Sequence, residues 1–253
     1  MRIFLCRHGN TFGPDQEGGE QIFMCGSNNN IPLVEAGRVQ AKRMAQYLVA
    51  NNIKPAAIYA NHLIRTWEYA EIIKQYFLEQ LKIEIPMYKD ERLLEVDYGA
   101  WAGLTSSEVI AKFGQKAWDD WQNKRIIPNY APHNWRRTRE EIITNIRAFF
   151  DDLKNKYPNE TIVAIGSQGS ITFVNELFVG GMEQAIIDDH YKIKTGHFVE
   201  IHYDNENLQK SSSRGLTAGS SKKQNSKLDP AVKPRDDEQS NNKWKLISWN
   251  KNP

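Results

Sequence analysis

The stretch TIVAIGSQGSI, Thr161 to Ile171, sets the architecture. β-Branched and small apolar residues run as far as Gly166, Ser167-Gln168-Gly169 interrupts them, and an apolar pattern resumes at Ile171. A buried strand passing through a tight turn into a helix is a common way to build a phosphate site, because the N–H groups at the helix start point at the ligand. Chemistry at such a turn usually wants a charge or a nucleophile. Here the tip carries the neutral Gln168.

The same alternation extends outward from this stretch. Ile3 to Cys6 reads as a buried strand that ends in Arg7-His8-Gly9. Leu33 to Ala50 places Ala41, Met44, Ala45, Leu48 and Val49 on one helical face. Ala56 to Ala60 is a second strand, and Asn61 is suited to cap a helix with the apolar stripe Ala70, Ile73 and Phe77. Ile83 to Tyr88 reads as a third strand. Thr105-Ser-Ser-Glu108 and Thr138-Arg-Glu-Glu141 are capping-box patterns, each predicting a helix start. The second leads into Ile142, Ile146, Phe149, Phe150 and Leu153. Thr161 to Ile165 is the fourth strand, and Ile171 to Val179 the helix after it, stopped by Gly180-Gly181. Strand–helix alternation predicts an α/β three-layer sandwich, a mainly parallel sheet with helices on both faces. At the end, Gly196 to Tyr203 and Lys243 to Trp249 read as two strands with no helix between them, an antiparallel edge hairpin. The intervening Asp204 to Asn242 is rich in Ser, Lys, Asn, Gln and Asp, and is expected to be a disordered insertion. Residues 1–253 are thus expected to form a single domain interrupted at 204–242.

Composition narrows the function classes. With 40% hydrophobic and 25% charged residues the chain is globular, and a net charge of +2 implies no broad basic face, so nucleic acid is not an expected partner. Two cysteines, Cys6 and Cys25, form neither a disulfide framework nor a thiolate zinc site. The apolar part of MRIFLCRHG is too short for a secretory signal, and no stretch reaches the length of a membrane span. The expectation is a cytoplasmic protein without a membrane partner. Oligomeric state is not legible.

In an open α/β sheet, ligands bind at the carboxyl ends of the strands. The residues just beyond each strand are therefore the candidate site: Arg7, His8 and Gly9 after the first, Asn61 and Arg65 after the second, Glu95 after the third, and Ser167, Gln168 and Gly169 after the fourth. Singly, each has a bland reading; Arg65, for example, could pair with Glu68 or Glu71 on a solvated helix face. Their joint placement at strand ends points to phosphoryl transfer. Arginine forks bind phosphate oxygens, a neutral histidine is a competent nucleophile, and a carboxylic acid can protonate a leaving alkoxide and then deprotonate water. Neither metal nor cofactor is expected if the arginines carry the charge. Trp101, between Gly99 and Gly103, could wall such a site.

RHGNT at Arg7 to Thr11, PLVEAGRVQA at Pro32 to Ala41, the Asn61–Arg65 helix start and LLEVDYGAWAG at Leu93 to Gly103 together resemble the histidine phosphatase superfamily, also called the phosphoglycerate mutase family. The resemblance implies an α/β sandwich with His8 as nucleophile, Glu95 as proton donor, and Arg7 and Arg65 as phosphate clamps. It places Asn10, Thr11 and Gly169 in the pocket. The family usually carries a second histidine where this chain has Gln168. The expectation is that Gln168 faces the phosphate as a neutral donor and that Gln168→His would raise the rate. The implied function is a phosphomonoester hydrolase acting through a phosphohistidine on a small phosphorylated substrate or a phosphoprotein. The alternative is a phospho-ligand-binding pseudoenzyme. A phosphoglycerate mutase ranks third, because Asn10-Thr11-Phe12-Gly13 and Val96-Asp97-Tyr98-Gly99 do not resemble the mutase patterns.

Overall fold

The computed structural model describes residues 1–11, 24–178, 181–204 and 244–253. A six-stranded sheet runs in the order β3-β2-β4-β1-β5-β6. Its strands are β1 (Arg2–Arg7), β2 (Ala57–Ala60), β3 (Met87–Lys89), β4 (Thr161–Gly166), β5 (Phe198–Tyr203) and β6 (Trp244–Lys251). The first four are mutually parallel, whereas β5 runs antiparallel to β1, and β6 antiparallel to β5. Along β1 and β4 the register pairs Arg2 with Thr161 and Arg7 with Gly166, so the two strands deliver their chains to the same level of the sheet.

Alternation along the strands builds two cores. Ile3, Leu5, Ala57, Tyr59, Ile162 and Ala164 point to one face; Phe4, Cys6, Ile58, Ala60, Val163 and Ile165 point to the other. The second face is covered by α1 (Glu35–Ala50), through Ala41, Met44, Ala45 and Leu48, and by α2 (Ile64–Leu81), through Tyr69, Ala70, Ile73 and Phe77. The first face is covered by α3 (Ser106–Phe113), α4 (Gln115–Lys124) and α5 (Arg139–Lys156), with the short helices α6 (Gln168–Thr172), α7 (Asn175–Phe178) and α8 (Met182–Ile187). This is the expected three-layer sandwich. Both capping boxes form: Thr105 and Glu108 close α3, Thr138 and Glu141 close α5.

Four local expectations need correction. β3 begins at Met87 rather than Ile83, and its backbone contact with β2 is preceded by the Pro86 carbonyl, which accepts from Ile58 N–H at 2.9 Å. The helix expected over Ile171 to Val179 starts at Gln168 and breaks after Thr172, resuming at Asn175; Gly181 then begins α8 rather than ending a helix. Leu63, not Asn61, is the N-cap of α2. Trp101 does not wall a pocket: it is fully buried among Trp118, Trp135 and Phe113 and donates to His133 Nδ1 at 3.0 Å. The expected disordered insertion lies outside the described residues, except Asp204, which accepts from Lys245 Nζ at 2.6 Å across the hairpin.

The loop after β1 meets the first turn of α1 backbone to backbone. A Cβ on Gly37 would lie 2.3 Å from the Asn10 carbonyl oxygen, and one on Gly9 would lie 2.4 Å from that of Gly37. Only glycine fits at either position. This contact fixes where the chain turns immediately after His8.

Candidate active site

His8 leaves β1 with its N–H bonded to the Gly166 carbonyl at 3.1 Å, and its ring is buried. Nδ1 lies 2.7 Å from the Gly9 carbonyl oxygen. A carbonyl can only accept, so Nδ1 carries the proton and Nε2 keeps its lone pair. Arg65 Nε–H donates to that lone pair at 3.3 Å. Burial, then Arg65, then Arg7 hold the imidazole well below the usual histidine pKa. The ring is neutral at pH 7, with Nε2 directed at the arginine.

Arg65 is 1% exposed and pairs with no carboxylate among the described residues. Its Nη1 donates to the Asn29 carbonyl at 2.7 Å and its Nη2 to the Gly26 carbonyl at 2.9 Å. Glu68, a candidate partner by sequence, pairs instead with Arg38 at 2.7 Å. Asn61 sets the position of this arginine. Its Oδ1 accepts from Leu63 N–H at 2.9 Å and Thr66 Oγ–H at 2.6 Å, while its Nδ2 donates to the Leu93 carbonyl at 2.8 Å. One amide thereby ties the start of α2 to the loop that carries Glu95.

Glu95 is buried; its Oε1 accepts from Val96 N–H at 2.8 Å, and its carboxyl group also lies against the Gly169 N–H. Burial raises its pKa above the ordinary carboxylate value, against the pull of Arg65 and Arg7. A Cβ on Gly169 would lie 2.2 Å from Glu95 Oε1, so a side chain there would displace the carboxyl group. The other nearby acids are engaged elsewhere: Glu91 is exposed and pairs with His62, and Asp97 accepts from Gly99 N–H and Asn28 Nδ2. His62 and His197 do not contact His8. The Asn10 side chain accepts from Thr195 Oγ at 2.5 Å, which fastens the loop after β1, and Thr11 is buried.

Gln168 departs from expectation. Its Nε2 donates to Thr172 Oγ1 at 3.1 Å and to the Tyr191 carbonyl at 3.0 Å, and its Oε1 accepts from Ile193 N–H at 2.8 Å. Both amide hydrogens and the carbonyl oxygen are used, so the side chain does not present a donor to phosphate. It fastens residues 191–193. Thr172 also bonds the Tyr191 carbonyl, Asn175 bonds the His190 carbonyl, and Trp249 Nε1 donates to the Lys192 carbonyl at 2.8 Å. The Ile193 carbonyl in turn accepts from Arg7 Nη1 at 2.8 Å. Gln168 therefore bears on Arg7 through the backbone it holds. Sequence reasoning missed this because Gln168 and Ile193 are 25 residues apart with no pattern linking them.

This geometry has two measurable consequences. Gln168→His leaves the Ile193 N–H without its acceptor, and is expected to cost about 1–3 kcal/mol in urea unfolding and to slow any reaction that needs Arg7. A variant as stable and at least as fast as the wild type would show that the tether is dispensable. The buried His8 refuses a proton that the unfolded chain accepts near pH 6.5. Its folded pKa is depressed, so stability is lost as pH falls below that value. Wild type minus His8→Gln stability should decline by about 1.4 kcal/mol per pH unit there, the slope for one proton. A flat difference between pH 5 and 7 would mean that the folded imidazole protonates normally.

The sequence model of the family described as histidine phosphatase superfamily (branch 1) matches residues 3–213. Phosphoserine phosphatase 1 of Hydrogenobacter thermophilus is 26% identical over 134 residues, 53% of this chain and 57% of that one. A 2,3-bisphosphoglycerate-dependent phosphoglycerate mutase of an Arthrobacter species is 27% identical over 127 residues, 50% of this chain and 48% of that one. The chain thus spans about half the length of the curated relatives it matches. Among solved structures, YhfR of Bacillus stearothermophilus has a TM-score of 0.64 at 25% identity, covering 81% of this chain and 92% of that one. The mycobacterial glucosyl-3-phosphoglycerate phosphatase has a TM-score of 0.66 at 18% identity, covering 98% of both chains, a likeness of fold alone. The strand ends that gather His8, Arg65 and Glu95 thus lie within a matched span of most of the chain, and the chain belongs to the histidine phosphatase superfamily, branch 1.

Proposed function

We propose that this chain is a phosphomonoester hydrolase that works through a phosphohistidine at His8. The observation that carries the reading is the state of the His8 ring. Its only proton is donated to the Gly9 carbonyl, and Nε2 lies 3.3 Å from a buried guanidinium suited to hold a phosphoryl group against it. A neutral imidazole in this tautomer can form a bond to phosphorus without first losing a proton.

In the first step, Nε2 bonds to phosphorus as the bond from phosphorus to the ester oxygen breaks. Glu95 delivers its proton to the departing oxygen, a role favoured by the raised pKa that burial gives it. Arg65 and Arg7 bind the phosphoryl oxygens, whose negative charge replaces the lone pair and carbonyls that the guanidiniums now contact. In the second step the Glu95 carboxylate takes a proton from water, the water oxygen bonds to phosphorus, the nitrogen–phosphorus bond breaks, and His8 returns neutral. The name phosphoserine phosphatase, borne by a sequence relative, supports a hydrolase acting on a small phosphorylated metabolite.

A binding protein without turnover is the rival reading. It draws on Gln168, which supplies neither charge nor free donor. Rapid quenching during turnover of an aryl phosphate, followed by peptide mass spectrometry, decides between them. Label is expected on His8 and absent from His8→Ala; phosphate on another histidine, or undiminished turnover by His8→Ala, would overturn the mechanism. Tight binding of vanadate without turnover of any ester would favour the rival. Glu95→Gln is expected to slow alkyl phosphates at least tenfold more than activated aryl phosphates, because the acid matters most when the leaving oxygen is basic. Equal slowing of both classes would remove Glu95 from that role.

A further inference from the structure

Arg125 ends α4 and is 4% exposed. Its guanidinium lies 4.8 Å from the ring centre of Trp121 and 5.4 Å from that of Tyr191. Nη1 donates to the Trp121 carbonyl at 3.3 Å, and the buried Nε has no hydrogen-bond partner. No carboxylate pairs with it among the described residues. A buried charge is ordinarily paired, and a guanidinium carries five N–H donors. Among the described residues, the guanidinium makes one hydrogen bond and the charge has no counter-ion.

Its neighbourhood is the candidate active site. Tyr191 is the residue whose carbonyl Gln168 holds, two positions from the carbonyl that anchors Arg7. Trp121 packs edge-on against Tyr98 at 5.8 Å between ring centres, and Tyr98 Oη reaches to 3.1 Å from where a Gly169 Cβ would be, beside Glu95. Arg125 and Glu95 act on each other electrostatically, as do Arg125 and Arg7. With Glu95 protonated, as the proposed first step requires, a phosphoryl dianion offsets the charges of Arg7 and Arg65 and leaves that of Arg125 without a counter-ion.

We propose that Arg125 is a second anion-binding position, and that the substrate is a phosphomonoester carrying a further acidic group, a carboxylate or second phosphate, a few atoms from the ester oxygen. The proposal rests on the phosphatase reading for its substrate class. The rings of Trp121 and Tyr191 lie within cation–π distance of the guanidinium, and its burial keeps water from it, so an acid reaching it meets unused donors in a dry setting. Such a substrate would supply the missing counter-charge, whereas a neutral phosphate ester would leave Arg125 buried and unpaired.

The test compares matched esters that differ by one acidic group, such as 3-phosphoglycerate against glycerol 1-phosphate and phosphoserine against phosphoethanolamine. A charge-assisted contact is expected to favour the acid-bearing member by about 10–100-fold in kcat/KM. Arg125→Gln should bring that ratio close to one, expressed mainly in KM, and Arg125→Lys should keep part of it. Melting temperatures of both variants report whether the fold survives. If Arg125→Gln does not fold, the ratios for the wild type and Arg125→Lys decide. No preference for the acid-bearing member in any pair, or an equal loss on both members of each pair, would overturn the proposal and leave Arg125 a structural cation. If no ester is hydrolysed, the phosphatase reading fails by itself. The same pairs measured as ligands by calorimetry then decide the Arg125 question by the same ratio of affinities.

Discussion

A buried guanidinium held against a neutral imidazole is the constraint on which the site depends. Arg65 donates to His8 Nε2 while backbone carbonyls of Gly26 and Asn29 take its other nitrogens. Any nearby carboxylate would compensate the charge better, but would also compete with a phosphoryl group for the same fork. Carbonyl oxygens orient the fork without neutralising it. The same cation, with burial, keeps His8 from taking a proton. In the proposed mechanism this single contact both keeps the His8 imidazole neutral and leaves the Arg65 charge for an anion.

Holding that arrangement falls to neutral groups. Asn61 links the start of α2 to the Glu95 loop, and Gln168 links the start of α6 to residues 191–193 and so to Arg7. Each amide supplies both a donor and an acceptor, which is what a turn with one exposed carbonyl and one exposed N–H requires. A histidine at position 168 would bring either a charge or a single donor and acceptor of different reach. With Arg65, Arg7 and Arg125 already acting on Glu95, a further cation there would add like-charge repulsion in a buried region. The neutral residue is consistent with the charge already present.

Sequence carried the architecture well because the strands alternate cleanly. Ile3 and Leu5 belong to one core, Phe4 and Cys6 to the other, and that period is visible in the chain itself. Both capping boxes are local, each contained within four consecutive residues, and both form. His8, Arg65 and Glu95 were legible because each lies just beyond a strand, and the rule about strand ends needs no distances. What escaped was long-range. The tie between Gln168 and Ile193, and the pairing of Arg125 with the Tyr191 ring, depend on how α4 and α6 pack against a segment far along the chain. In the sequence Arg125 comes after Lys124 at the end of a charged helix, which reads as solvated surface. Its one local hint is the spacing of Trp118 and Trp121, which gives α4 a buried face.

The two kinds of residue also come from different layers. His8 and Arg7 sit at the end of β1 and Arg65 begins α2, all fixed by the sheet and by backbone contacts such as that of Gly9 with Gly37. Arg125 comes from α4, which packs over the opposite face through Trp118 and Trp121. Main-chain hydrogen bonds of a sheet leave little freedom at a strand end, whereas a helix joined by short loops can shift or exchange side chains without disturbing the strands beneath it. Phosphoryl chemistry requires atoms fixed to a few tenths of an ångström, while recognition of a substrate's remote group tolerates more variation. The sheet is the place for the first and the helical cover for the second. If the proposed phosphatase reading and the proposed role of Arg125 hold, a change in what a substrate carries beyond its phosphate can be accommodated at α4 while His8, Arg65 and Glu95 remain in place.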